Sequence, residues 1–156
     1  MTDYYDEIIL ETDFWIAVLG TKQVYLGRLI VNCKRPICHL SELKSEELLD
    51  LLTIFQKLEK SLSLAFGAKM FNWLCLNNGN WRNYPQKEVK KNLHWHLIPR
   101  YSQEFIFENQ VFVDNSFGHK FDWESAFGNK LEKQSEHRDF LPPFRHAIIN
   151  KIQENF

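Results

Sequence analysis

Asn92-Leu93-His94-Trp95-His96-Leu97-Ile98-Pro99-Arg100 is the stretch on which the reading of this chain turns. Apolar and polar residues alternate through it with period two, the pattern of a β-strand with one buried face. Leu93, Trp95 and Leu97 fall on one side; Asn92, His94 and His96 fall together on the other. Pro99 has no backbone N–H to give a ladder, so the strand is expected to end there, with Arg100 at its exit. Two imidazoles on one strand face beside a guanidinium form a candidate site.

The rest of the composition sets bounds on that site. At 156 residues the chain suits one domain, 1–156, with a sizeable core. Aromatic residues reach 15%, which argues for a densely aromatic interior. The net charge of −1 gives no case for nucleic-acid binding. No apolar run has the length of a membrane span, and the acidic start, Met1 to Glu7, does not resemble a signal peptide. Cys33, Cys38 and Cys75 are odd in number and lack CxxC spacing, which suits free thiols in a cytoplasmic protein.

Taken in order, Phe14–Leu19 and Tyr25–Cys33 predict an antiparallel hairpin around Gly20 to Gln23. Ser45, followed by Glu46 and Glu47, predicts the N-cap of a long helix that stops at Gly67. Leu48, Leu51, Leu52, Phe55, Leu58 and Leu62 recur at helical spacing and are assigned to its core face. Residues 71–76 predict a strand, and Asn77-Asn78-Gly79-Asn80 opens a loop that runs to about Lys91. That loop carries Arg82, Lys87, Lys90 and Lys91 against Glu88. Residues 105–113 predict a further strand broken at Asn109, and 114–140 show no period. Pro142-Pro143 starts a terminal helix with Phe144, Ile148, Ile149 and Ile152 inward. Strands, one long helix, then strands again, without βαβ alternation, predict an α+β domain on an antiparallel sheet.

Histidine is readily poised as nucleophile, acid or base near neutral pH. On the residues alone, four readings stand. His94 attacks phosphorus in a phosphoanhydride, with His96 and nearby cations on the phosphate oxygens. Alternatively the pair ligates a metal, with His39, His119 or His137 as third ligand. In the third, the site binds a nucleotide without turning it over. In the plainest, both imidazoles are solvated or internally hydrogen-bonded.

HxHxxPR on an alternating strand also resembles the signature of the histidine-triad (HIT) superfamily, His-φ-His-φ-His-φ-φ, and most closely its Fhit-like dinucleoside polyphosphate hydrolase branch. Leu26-Gly27-Arg28-Leu29-Ile30-Val31 resembles that family's Pro-Gly-His-φ-φ-φ strand. Lys34-Arg35-Pro36, Leu40-Ser41-Glu42-Leu43 and the long helix resemble its next segment. Order and spacing agree from about Phe14 to Tyr101; residues 102–156 correspond to the family's variable C-terminal region.

The resemblance implies a five-stranded antiparallel sheet with one long helix and a C-terminal helix. It implies a covalent nucleotidyl intermediate on His94, a phosphate contact from His96, and a phosphate or ribose contact from Asn77. It also implies a homodimer, a nucleotide substrate such as a diadenosine polyphosphate, and no metal or cofactor for the covalent step.

Two departures qualify the likeness. Asn92 stands where the family has its first histidine. Pro85-Gln86-Lys87-Glu88-Val89-Lys90-Lys91 replaces the family's Gly-Gln-Ser/Thr-φ, whose amide and hydroxyl help the leaving group depart. Gln86 or Asn83 is the expected substitute, because Val89 offers no hydrogen bond. Gln86, Asn77 and Arg100 are therefore the candidate substrate-binding residues, and Asn92, His94 and His96 the catalytic set. Loss of leaving-group help makes a nucleotide-binding regulatory protein with weak or no turnover the alternative.

Overall fold

The computed structural model describes residues 7–77, 86, 91–121 and 141–156. Five strands form an antiparallel sheet in the order β1-β2-β3-β5-β4. They are β1 (Ile8–Glu11), β2 (Trp15–Leu19), β3 (Leu29–Cys33), β4 (Met70–Leu74) and β5 (His94–Arg100). The long helix α1 is Ser45–Phe66, and the terminal helix α2 is Pro142–Gln153. Among the described residues, no helix is long and apolar enough to cross a membrane.

Alternation sorts the sheet into two unlike faces. Trp15, Ala17, Leu19, Leu29, Val31, Cys33, Leu93 and Leu97 are buried and pack into one cluster with Leu51, Ile54, Leu58 and Leu62 of α1 and Ile148, Ile149 and Ile152 of α2. Trp95, on the same side, is half-buried and sets its indole edge-on to Phe55 of α1, centroids 6.0 Å apart. This is the hydrophobic side of an α+β layer pair, and it leaves His94 and His96 on the face away from the helices.

Several boundaries differ from the sequence expectation. Helix α1 is capped at Lys44 rather than Ser45, because the Glu47 carboxylate reaches back to accept the Lys44 N–H at 2.8 Å. At the other end Gly67 adopts φ +76° and returns its N–H to the Ser63 carbonyl, the expected stop. The buried stripe of α1 runs through Leu51, Ile54, Leu58 and Leu62. Leu48 and Leu52 stay half exposed, at 50% each, so the leucine row is wider than the core face it was assigned to.

Residues 25–28 form a turn rather than the start of β3. Gly27 sits there at φ +80°, and a Cβ on it would come 2.6 Å from Leu62 Cδ2. Fully buried Gln23 ties this turn together, donating to the Gly20 carbonyl and accepting from the Gly27 N–H.

Strand β5 continues through Pro99 to Arg100. The Leu93 carbonyl faces β3, where it accepts from Cys33, and the Arg100 carbonyl faces the β4 side, where it accepts from Lys69. Alternation then turns the Pro99 nitrogen toward β3, whose ladder has already stopped at Leu29 opposite Leu97. The missing donor therefore costs no ladder bond.

The segment 105–113 is a hairpin of its own, β6 (Phe105–Phe107) with β7 (Gln110–Phe112). Glu108 and Asn109 both have positive φ, 49° and 60°, as a two-residue hairpin turn requires. Its rings join Phe66, Tyr101 and Phe144, with centroids 4.6 to 6.5 Å apart. Much of the aromatic surplus is thus spent inside the chain.

Candidate functional site

The site is built on β5 and its two neighbours. His94 lies opposite Asn32 of β3, and His96 lies between Ile30 of β3 and Leu74 of β4. Both imidazoles are half-buried, their ring centroids 4.9 Å apart and nearly perpendicular.

His94 Nδ1 lies 2.9 Å from the backbone carbonyl oxygen of Asn92. A carbonyl can only accept, so the bond requires the proton on Nδ1 and leaves the Nε2 lone pair for chemistry. Asn92, which stands where the family has its first histidine, thus meets His94 through its main chain. The side chain itself is exposed.

His96 is a different group. Burial, then the positive charge of Arg28, then His94, hold its imidazole down to about 3, so at neutral pH it is an uncharged hydrogen-bonding ring. Among the described residues, the cation that bears on His96 is Arg28, which burial draws down only to about 10. Arg28 precedes β3, two residues before the one opposite His96, and falls where the Pro-Gly-His pattern has its histidine. Sequence reasoning missed both Arg28 and Asn32. The available signal was that 28, 30 and 32 alternate on the strand next to the histidines.

Asn77 follows β4 and leaves the sheet alongside the start of β5. It has φ 52°, donates Nδ2–H to the Cys38 carbonyl at 3.1 Å, and buries Oδ1 away from any hydrogen-bond donor among the described residues. Gln86 is described only as an exposed turn residue. Arg82, Asn83, Pro85, Lys87, Glu88, Val89 and Lys90 lie outside the described residues, while Lys91 is exposed.

Arg100 does not join the histidines, contrary to its assignment as a substrate contact. It lies six residues along β5 from His94, roughly 20 Å away, and its side chain has no exposure. Its donors go to Asp114 (2.6 and 3.0 Å), Asn72, Ser116 and the His119 carbonyl, and its plane sits over the Tyr25 ring. Burial pushes the Asp114 carboxyl up, but the Arg100 hydrogen bond, the Tyr101 N–H and the Arg100 charge together bring it below its ordinary value. Arg100 is the clamp that holds residues 114–119 to the sheet.

Among the described residues, the one gathering of possible metal ligands lies elsewhere: donor atoms of Cys38, His39 and Glu42 fall within 4.8 Å of one another. There the Glu42 carboxylate already accepts the backbone N–H groups of Cys38 and His39, at 3.1 and 2.8 Å, and so closes a turn. His39 and His119 do not join the histidine pair as ligands, and His137 lies outside the described residues.

Comparison with known proteins agrees with this geometry. Residues 2–103 match the family model of the HIT domain. A hypothetical histidine triad nucleotide-binding protein from Sulfolobus tokodaii shares the fold at TM-score 0.62 and 16% identity, over 96% of this chain and 82% of that one. A Hit-like protein involved in cell-cycle regulation from Bartonella henselae does so at TM-score 0.58 and 18% identity, over 96% and 86%. A zinc-bound histidine triad family protein from Mycobacterium smegmatis aligns at TM-score 0.52 and 14% identity, over 94% and 84%. No curated protein matches the chain in sequence. The family-model match covers most of the chain, and its histidine strand runs inside the sheet between β3 and β4: the protein belongs to the HIT domain family.

Proposed function

We propose that this protein is a nucleotidyl hydrolase or transferase of the Fhit-like kind, cleaving a nucleoside phosphoanhydride such as a diadenosine polyphosphate at the α-phosphate. His94 Nε2 attacks phosphorus, the bond from phosphorus to the bridging oxygen breaks, and the leaving phosphate or nucleotide departs with that oxygen. Water or an acceptor hydroxyl then attacks the phosphorus, the P–N bond breaks, the attacking oxygen sheds its proton to solvent, and His94 is regenerated. His96 donates to the phosphate oxygens as a neutral ring, and Asn77 and Gln86 contact the nucleotide.

The observation that carries the reading is the Nδ1 contact of His94 with the Asn92 carbonyl, which fixes the tautomer a nucleophile needs. The nucleotide-binding description of the Sulfolobus tokodaii relative supports the substrate class. The test is nucleoside monophosphate release from a panel of adenylylated compounds by wild type and His94→Ala. Turnover in wild type with an acid-labile protein adduct is expected, and both should vanish in the variant. Equal turnover by the two proteins removes His94 from the mechanism.

A second reading keeps binding and drops turnover. It is favoured by the missing Gln-Ser/Thr pair before the histidine strand. Tight nucleotide binding without an adduct would establish it.

The same reading includes a homodimer. Strand β4 is an edge of the sheet and half-exposed along its length, and Leu48, Leu49 and Leu52 of α1 are exposed at 50% to 69%. A sheet edge with no further strand among the described residues and an apolar helix row are the features that association would cover. Free Cys33, Cys38 and Cys75 support a reducing, cytoplasmic setting.

A further inference from the structure

We propose that Arg28 is the permanent cation of the nucleotide site, taking a phosphate beyond the one that faces His94 and so favouring nucleoside di- and polyphosphates over monophosphates. This rests on the nucleotide reading above and adds to it the group that sets phosphate number.

Position comes first. Ile30 lies opposite His96, so Arg28 is the diagonal neighbour of His96 on the same sheet face, a separation that long side chains bridge. His94 is opposite Asn32, four residues from Arg28, or roughly 13 Å along the strand. Arg28 therefore lies on the far side of His96 from His94, and its long side chain serves a phosphate displaced from the one at His94.

The side chain is also prepared for the task. It is buried, with 6% exposure. It lies across Gly20, where a Cβ would come 3.1 Å from Arg28 Nη1 and 3.4 Å from its Cγ. Glycine at position 20 is what leaves room for it. The backbone beneath is pinned: the Arg28 carbonyl accepts from Gly20 at 2.9 Å and from Gln23 at 3.1 Å, and its N–H donates to Tyr25 at 3.0 Å. One residue earlier, Gly27 is pressed against Leu62. Nη1 reaches the neutral Lys22 carbonyl at 3.4 Å, a long contact that a phosphate oxygen would outcompete.

The charge argument points the same way. His96 stays neutral, and Arg28 weighs on it more than the adjacent His94 does, so among the described residues the guanidinium is the positive charge set beside His96. A planar guanidinium presents paired N–H groups to two oxygens of one phosphate, which a neutral imidazole does not.

The experiment is calorimetric titration of wild type and Arg28→Gln with adenosine, AMP and ADP. Loss of a charge-assisted phosphate contact is expected to weaken ADP by about tenfold or more. Adenosine and AMP should stay within about twofold. Equal weakening of all three ligands, or no weakening of ADP, overturns the role of Arg28. If wild type binds none of them, the nucleotide reading fails and takes the proposal with it, whereas retained AMP binding with unchanged ADP affinity sinks Arg28 alone. Should Arg28→Gln not fold, the Arg28 Nε–H resonance of wild type decides the matter. It should shift on addition of ADP but not adenosine; a resonance unmoved by ADP overturns the proposal.

Discussion

The Nδ1 atom of His94 lies 2.9 Å from the carbonyl oxygen of Asn92, so the hydrogen bond that orients this imidazole comes from the main chain. A substitution at position 92 keeps that carbonyl. Asn92→Ala is therefore expected to hold turnover within about threefold of wild type, while His94→Ala abolishes it. Steady-state release of nucleoside monophosphate checks both. A loss on Asn92→Ala comparable to that of His94→Ala would show that the amide side chain carries the support.

His96 makes stability depend on pH in a specific direction. Its folded value is about 3 against an ordinary 6.5, so on acidification the unfolded chain takes the proton first. Stability is complete above 6.5 and is lost as pH falls through the window toward 3. Glu47, held at about 2 chiefly by the Arg35 hydrogen bond, loses its contribution only below its ordinary 4.5. Between pH 7 and 5 the two are separated. Urea midpoints should fall over that interval in wild type and fall less in His96→Asn; parallel curves would contradict the burial of a neutral ring.

Arg100 is expected to matter for folding rather than for chemistry. Arg100→Met leaves Asp114, 1% exposed, without its partner, and breaking such a pair costs about 3–5 kcal/mol. Denaturant unfolding would register this loss. Nucleotide affinity of the folded fraction should be unchanged, and a selective loss of affinity at normal stability would return Arg100 to the site.

Gly27→Ala should destabilise by about 1–3 kcal/mol, from a side chain at positive φ and overpacking against Leu62. The double variant Gly27→Ala, Leu62→Ala offers a check by unfolding. Removing the clashing methyls should recover part of the Gly27→Ala cost, so the two single effects should sum to more than the double one.

The histidine strand was legible because its alternation is strict and its apolar members are large. The hairpin, the Gly67 stop and the apolar face of α2 were legible for similar local reasons. What failed to read locally depended on tertiary partners. Nothing near Ser45 says that Glu47 will cap Lys44, and nothing near Leu48 says that Ile54 will be the buried neighbour. Pro99 is tolerated because β3 has ended, a fact of sheet register. Asn109 read as a break and proved to be half of a turn. Arg100 looked like a site residue because it follows the histidines, but its partners, Asp114 and Ser116, lie in a segment without period. Arg28 was overlooked because the strand was read for its apolar members alone.

The same two strands line the interior on one side and carry the polar face on the other, with Asn32 set against His94 and Val31 against Trp95. Point substitutions can therefore retune the polar face without touching the interior. A single-residue deletion between Leu93 and Leu97 cannot: it would carry imidazoles into the hydrophobic layer and turn indole and leucine out to water. Change in this protein's chemistry is open to exchange of residues along β3 and β5 and closed to any alteration of their length.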